Sequence, residues 1–413
     1  MTNLLWPGDH RAGEVMTDRA VLRSMVAVES AWLGALATVG VAPPECAEAD
    51  LSSLLADDDA ESLALGAEGG GNPVIGLVRL LRQRAVPDVA PWIHRGLTSQ
   101  DVVDTAVMQG VRGVVDHLIS LLGEQISALS GLAAAHRATP MVARTLTQHA
   151  APTTFGAKAA GWLDGVVDAV GRLTTLVTPA QFGGAVGTRA ATTELAALLT
   201  DAADPAEVSD RLALTAAATL GLAARSPWHT TRTPVTSAAD AFVDCTDAWG
   251  RIASDIVVLV RPEIGELSEP AGEDRGGSSS MPQKRNPLLS ILIRRAAVSA
   301  PQLAATLHTA AALAHDERPD GAWHAEWDTL RTLARRTVVA GAQCGELLAG
   351  LEVHAARMAQ NLAVTDVLGE QRAIAELAGR PPSPTYLGAV DRLIDESLDR
   401  ARRANGKHSK SVS

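Results

Sequence analysis

An all-α fold built on long helices is what this sequence predicts, and three observations predict it. Alanine and leucine dominate while aromatic residues make up only 3% of the 413, a composition that favours helices over sheets. Cys245, Trp249, Ile252, Ile256, Leu259 and Glu263 step by 4, 3, 4, 3 and 4, and all but the last are apolar, the stripe of a long amphipathic helix. From Leu288 to His315 the pattern is helical again, apart from Pro301.

Taken in order, the chain opens with a helix marked by Val21, Met25, Val28, Trp32 and Leu36, which stops near Gly40 and Pro43-Pro44. Acidic and small residues from Glu45 to Gly71 predict short helices and loops. Gly69-Gly70-Gly71-Asn72-Pro73 breaks the pattern and Val74 to Arg84 resumes it. Thr98 and Ser99 then stand just ahead of a helix striped by Val111, Val115, Leu118, Leu122 and Ile126, where capping alone would explain them. After Pro140, a run from Ala143 to Gly156 leads into a helix carrying Phe155, Ala159, Trp162, Val166, Val170 and Leu173. His149 in that run, taken alone, reads as a structural hydrogen-bonder.

Phe182-Gly183-Gly184-Ala185-Val186-Gly187-Thr188 is glycine-rich but lacks the strand–turn–helix setting of a dinucleotide site. The Trp-His pairs at Trp228-His229 and Trp323-His324 read as packing. Thr329 to about Gly379 is helical in pattern, Pro381-Pro382 breaks it, a last helix runs from Tyr386 to about Arg403, and Lys407 to Ser413 reads as a frayed tail. The expected division is an N-terminal helical domain (1–105), a central long-helix bundle (106–345), a short C-terminal helical domain (346–405) and a flexible tail (406–413).

Composition bounds the setting. A net charge of −11 argues against a nucleic-acid surface. Cys46, Cys245 and Cys344 are odd in number and scattered, as reduced packing cysteines of a cytoplasmic protein would be. Met1 to His10 lacks the basic-then-apolar order of an export signal, and no uncharged apolar run reaches the length of a membrane span. His-Glu-x-x-His is missing, and His315, Asp316, Glu317 and His324 lack ligand spacing, so neither metal nor cofactor is expected.

Chemistry concentrates in Gly276-Gly277-Ser278-Ser279-Ser280-Met281-Pro282-Gln283-Lys284-Arg285-Asn286-Pro287. Glycines loosen the backbone there, and Asn286-Pro287 reads as a helix N-cap with proline in the first turn. Free N–H groups and the helix dipole at such a start favour an anion, Lys284 adds a full positive charge, and the serines supply donors or a nucleophile. A Gly/Ser linker ahead of a helix is the plainer reading. The spacing is not that of a P-loop.

Gly277-Ser278-Ser279-x-Met281-Pro282-x-Lys284-x-Asn286-Pro287 resembles the signature loop of the fumarase/aspartase superfamily. Thr98-Ser99-Gln100-Asp101-x-x-Asp104-Thr105 is similar to that superfamily's first motif, and Ala143 to Gly156, with Gln148 and His149, to its second. The resemblance implies a homotetramer with a central helical bundle and active sites shared between subunits. It implies addition or elimination across a carbon–carbon bond beside a carboxylate, through a carbanion held as an aci-carboxylate. Ser278 would be the base, and Gly277, Ser279 and Met281 its loop. His94, Thr98, Ser99, Gln148, Lys284, Asn286 and Arg318 would bind the substrate's carboxylates, and His149 would bind or transfer a proton.

Departures from the pattern narrow the reaction. Many members carry a histidine where this chain has Leu146, and a glutamate where it has Ile291. With both apolar, protonating an amine or hydroxide leaving group is disfavoured, while a carboxylate leaves as a stable anion without a proton. That selects lactone chemistry and resembles the 3-carboxy-cis,cis-muconate cycloisomerase branch, although the stretch from Leu351 to Tyr386 is shorter than that branch leads one to expect. Elimination of nitrite from nitrosuccinate fits the same argument. Adenylosuccinate lyase chemistry is helped by Ile93-His94 and opposed by Leu146 and Ile291, and a non-catalytic scaffold is opposed by Ser278, Lys284 and Asn286. The expected partner is a small di- or tricarboxylate, with no nucleic acid and no membrane.

Overall fold

The computed structural model describes residues 3–272, 275–277, 280–281 and 283–411, with side chains to residue 405. Among them run α1 (Asp18–Thr38), α2 (Asp59–Gly70), α3 (Val74–Arg84), α4 (Ser99–Ala135), β1 (Pro140–Thr145), β2 (Gln148–Thr154) and α5 (Phe155–Thr174). There follow α6 (Ala190–Leu199), α7 (Pro205–Thr219), α8 (Thr233–Leu259), β3 (Leu267–Ser268), α9 (Leu288–Ala312) and α10 (Gly321–Ala349). The chain closes with β4 (Glu352–Val353), α11 (Ala355–Ala363), α12 (Gly369–Ala378) and α13 (Val390–Ser411). The class is all-α, as the composition predicts.

Local chemistry sets the helix ends. Thr17, Thr154 and Asp204 each accept a backbone N–H of the first turn of α1, α5 and α7, and Pro205 opens α7. Gly71 ends α2 in the left-handed region, φ 69°.

Three stretches differ from the sequence reading. The run ahead of α5 is an antiparallel hairpin, β1 with β2, pairing Thr145 with Gln148 and Arg144 with His149 and bulging between Val142 and Arg144. Leu146 and Thr147 form its two-residue turn with φ of 49° and 71°, left-handed angles usually left to Gly or Asn. No alternation of apolar and polar residues announces this hairpin, which is why it was not expected. The helical pattern after Thr329 is interrupted at Ala349, where β4 pairs with β3. The last helix continues as backbone to Ser411, into the stretch read as a tail.

By compactness the chain divides into two units. Unit one comprises Met1–Asp116, Leu176–Asp240 and Gln302–Arg335; unit two comprises His117–Thr175, Ala241–Pro301 and Arg336–Ser413. Four of the five dividing lines fall inside α4, α8, α9 and α10, and the other just after α5. In unit one α1 packs on α7, and Trp32 stacks on Phe182 with ring centroids 5.1 Å apart. In unit two α5 packs on α13, and Phe155 meets the edge of Trp162. Also in unit two, buried Gln125 accepts the Trp249 indole N–H at 2.7 Å and donates to the Gly341 carbonyl at 2.9 Å.

By length and mean hydropathy α1, α4 and α9 are long and apolar enough to cross a membrane. The uncharged-run criterion passes over them because each carries charges, among them Glu29 in α1, Asp101 and Asp104 in α4, and Arg294 and Arg295 in α9.

Candidate active site

In unit one the site is built around the first turn of α4. Asp101, fully buried, lies three residues after Thr98 and accepts its backbone N–H at 3.0 Å, closing the helix start. The same carboxylate accepts the N–H groups of Gly183 (2.8 Å) and Gly184 (2.9 Å) and the Nε2–H of His229 (3.0 Å). Four donors on one buried carboxylate tie three distant segments to a single point. Gly183 is required: a Cβ there would stand 2.7 Å from the His229 ring. His229 Nδ1 is buried with no partner among the described residues, so the ring is held in the tautomer that donates from Nε2.

Because the backbone of Thr98 is fixed by Asp101, its hydroxyl is not used for capping. It accepts from the Arg318 guanidinium at 2.9 Å, so the structure brings Thr98 and Arg318 together. One turn further along α4, Asp104 accepts two bonds from Arg232 (2.7 and 3.0 Å) and the Trp323 indole N–H (2.9 Å). Arg232 also reaches Glu326 at 3.0 Å, one guanidinium between two buried carboxylates. Burial opposes the charge of Arg232, but Asp104 and the hydrogen bonds to Glu326 prevail and hold its pKa above the ordinary value. Burial outweighs Arg232 at Glu326, whose carboxyl is pushed above its usual range, with Asp104 adding to the effect. The Trp-His stretches are therefore packing in part: Trp323 and His229 also anchor the frame of α4.

His94 sits on backbone of φ 61°, and its Nδ1 meets Oε1 of the fully buried Glu29 at 2.6 Å. A carboxylate behind one ring nitrogen fixes the orientation of the other. His94 and Ser99 line a common pocket of about 510 Å³ beside α3.

Unit two holds the remaining expected residues. Arg144 on β1 makes a two-pronged pair with buried Glu266 (2.8 and 3.0 Å), and Asn361 of α11 donates to the same carboxylate at 2.8 Å. That anchor presents the hairpin end to solvent: Leu146 is 95% exposed, Gln148 is exposed and its amide reaches Thr147, and His149 meets Thr365 at 2.8 Å.

The signature loop is clasped at its base. The Asn286 backbone N–H (2.8 Å) and side-chain amide (3.1 Å) both donate to the Gly276 carbonyl, and a Cβ on Gly276 would stand 2.6 Å from the Asn286 carbonyl oxygen. Gly277, Met281 and Lys284 are exposed, and the Lys284 N–H closes a turn onto Met281. Ser278 and Ser279 lie outside the described residues. The start of α9 does receive an anion, though one from the chain itself: Glu269 accepts the N–H groups of Leu289 (3.0 Å) and Ser290 (2.8 Å). Those donors are thus occupied.

Sequence reading passed over Glu29, Asp101, His229 and Glu269. Asp101 stood inside a quoted motif, but its partners lie some 80 and 130 residues away and nothing local names them. Among the described residues no cluster of three or more His, Cys, Asp or Glu is arranged to hold a metal.

With this geometry in place, the relationship to known proteins is clear. The profile of a family described as lyase matches residues 13–301, and the chain belongs to that family, an enzyme of the fumarase/aspartase superfamily. It is 44% identical over 358 residues to nitrosuccinate lyase of Streptomyces davaonensis, covering 85% of this chain and 74% of the relative. Over 355 residues it is 39% identical to 3-carboxy-cis,cis-muconate cycloisomerase of Bradyrhizobium diazoefficiens, covering 84% and 76%. The crystal structure of the 3-carboxy-cis,cis-muconate lactonizing enzyme from Pseudomonas putida superposes with a TM-score of 0.81 at 28% identity, over 95% of this chain and 97% of that one.

Asp101→Asn leaves an amide N–H₂ facing backbone donors, and each charge-assisted bond lost is worth about 1.5–3 kcal/mol. The expected result is a fall in kcat/KM of roughly 100-fold or more with a lowered Tm. Full activity with unchanged Tm would remove Asp101 from its positioning role.

Proposed function

We propose that the protein interconverts 3-carboxy-cis,cis-muconate and 4-carboxymuconolactone. The observation that carries the proposal is the turn of the β1–β2 hairpin. Where many relatives carry a histidine that protonates the leaving group, this chain offers Leu146, fixed on left-handed backbone, with Thr147 and Gln148 beside it. A leaving group served by such a turn departs as a stable anion, and the carboxylate of a lactone does so.

In the lactonising direction, the carboxylate at one end of the diene adds to the far carbon of the conjugated double bond. Its electron pair passes along the chain to the other carboxyl group, which becomes an aci-carboxylate, and the Ser278 hydroxyl protonates the carbon between. The reverse reaction has the Ser278 alkoxide taking that proton and the ring carboxylate leaving. Extra negative charge on the aci-carboxylate calls for donors matched to the intermediate. Thr98, Ser99, Arg318, Lys284 and the loop N–H groups are of the right kind. Gln148 and His149 hold the substrate from the hairpin, and Asn286 ties the loop to Gly276 at its base.

Nitrosuccinate lyase chemistry is the second reading, favoured by the 44% identity to the Streptomyces davaonensis enzyme. Nitrite, like carboxylate, leaves without a proton, so the Leu146 argument serves it equally.

We further propose a cytoplasmic homotetramer. Ile291 and Val298 on α9 are 44% and 75% exposed, and Leu146 projects from its hairpin, apolar surface suited to burial against other subunits. Light scattering should give a mass four times that of the chain; a stable, active monomer would contradict the assembly.

Purified wild-type protein should abolish the ultraviolet absorbance of 3-carboxy-cis,cis-muconate, and Ser278→Ala should be slower by roughly 100-fold or more, as expected on losing a general base. A wild type that releases nitrite from nitrosuccinate and leaves the diene untouched would overturn the cycloisomerase reading in favour of the second. Equal turnover by both proteins would overturn the role of Ser278.

A further inference from the structure

The pocket beside α3 has two unlike walls. One is apolar, made by Val74, Ile75 and Val78 of one helix, with Ile75 the exposed member and Val74 and Val78 buried behind it. The other is polar and carries His94 and Ser99, two of the groups expected to bind substrate. Arg79 and Arg82 of α3 also line the pocket, with Arg79 exposed.

The two arginines differ in what they already hold. Arg82 donates from Nε (3.3 Å) and from a terminal nitrogen (2.8 Å) to the Ile93 carbonyl, which makes it a brace for the backbone just before His94. Glu29 occupies Nδ1 of His94 from behind. Arg79 has no hydrogen-bond or ion-pair partner among the described residues, although it lines the same pocket. Elsewhere in this chain many arginines are paired, as Arg84 is with Asp59 at 2.5 and 2.9 Å. An unpaired guanidinium with five donors in a rigid fork, facing a pocket with an apolar wall and a fixed histidine, is suited to a carboxylate at the end of a flat hydrocarbon chain.

We propose that Arg79 is a specificity-determining residue that binds a carboxylate of the substrate beyond the one at the reacting carbon, so that the pocket selects tricarboxylates over dicarboxylates. This rests on the cycloisomerase reading for the identity of the substrate, but the binding preference stands on the pocket. Val74, Ile75 and Val78 take the unsaturated chain, Arg79 reads its outer carboxylate, and Ser99 and His94 face the rest of the molecule. Neither fumarate nor succinate has a third carboxylate to offer, so Arg79 gains nothing from them.

The test is Arg79→Met, which keeps the stem and the helix propensity on an exposed position of α3 while removing the charge. Calorimetric titration with propane-1,2,3-tricarboxylate and, separately, with succinate reads binding without turnover, and the diene assay reads KM and kcat in parallel. The variant should bind the tricarboxylate roughly 10–100-fold more weakly, the range of one charge-assisted contact, with succinate affinity unchanged. On the diene KM should rise by a similar factor with kcat altered far less, and Arg79→Lys should recover part of the loss. Tricarboxylate binding that is equal in the two proteins, or undetectable in wild type, overturns the assignment. A wild type inert on the diene whose tricarboxylate binding still depends on Arg79 removes the cycloisomerase reading alone and keeps the assignment.

Discussion

A single buried carboxylate holds the unit-one half of this enzyme's chemistry in place. Asp101 takes four hydrogen bonds, from Thr98, Gly183, Gly184 and His229, in a spot without solvent. Burying a charge is unfavourable unless donors replace water around it, and here they come from three segments that Gln100, Thr105 and Gln181 also bond together. Asp104 repeats the device one turn later through Arg232, which Glu326 shares from α10. The first motif thus joins a helix start to its neighbours, and the position of the Thr98 hydroxyl follows from that frame.

Unit two uses the same principle with different groups. Buried Glu266 anchors the hairpin through Arg144, and Glu269 sits on the first N–H groups of α9, just after the signature loop. Among the described residues of the loop between, Gly276 meets Asn286 at the base and the Lys284 N–H turns back onto Met281.

Much of this was legible in the sequence, for physical reasons. Helical periodicity located α1, α3, α5 and α8 because each buries one stripe of apolar residues, and the signature loop stood out because a long stretch nearly free of large apolar side chains between two helices is unusual. The β1–β2 hairpin was not legible: its strands lack an apolar face, and its turn uses Leu146 and Thr147 where Asn-Gly would have signalled it. Thr98 and Arg318 were each expected at the site, but their direct bond was not, since 220 residues separate them. Glu29 and Glu269 were invisible because a glutamate on a helix or in a loop normally faces solvent, and only the fold shows that one lies behind His94 and the other on a helix start.

In the proposed reaction a carboxylate adds to a conjugated double bond while a carbanion, held as an aci-carboxylate, takes up a proton. Its most direct test is turnover of 3-carboxy-cis,cis-muconate in heavy water, with the lactone examined by proton and deuterium magnetic resonance. The proposed reaction gives a lactone carrying one deuterium, on the carbon next to the carboxyl group and on one face only. A lactone free of deuterium at that carbon, or labelled equally on both faces, would contradict it.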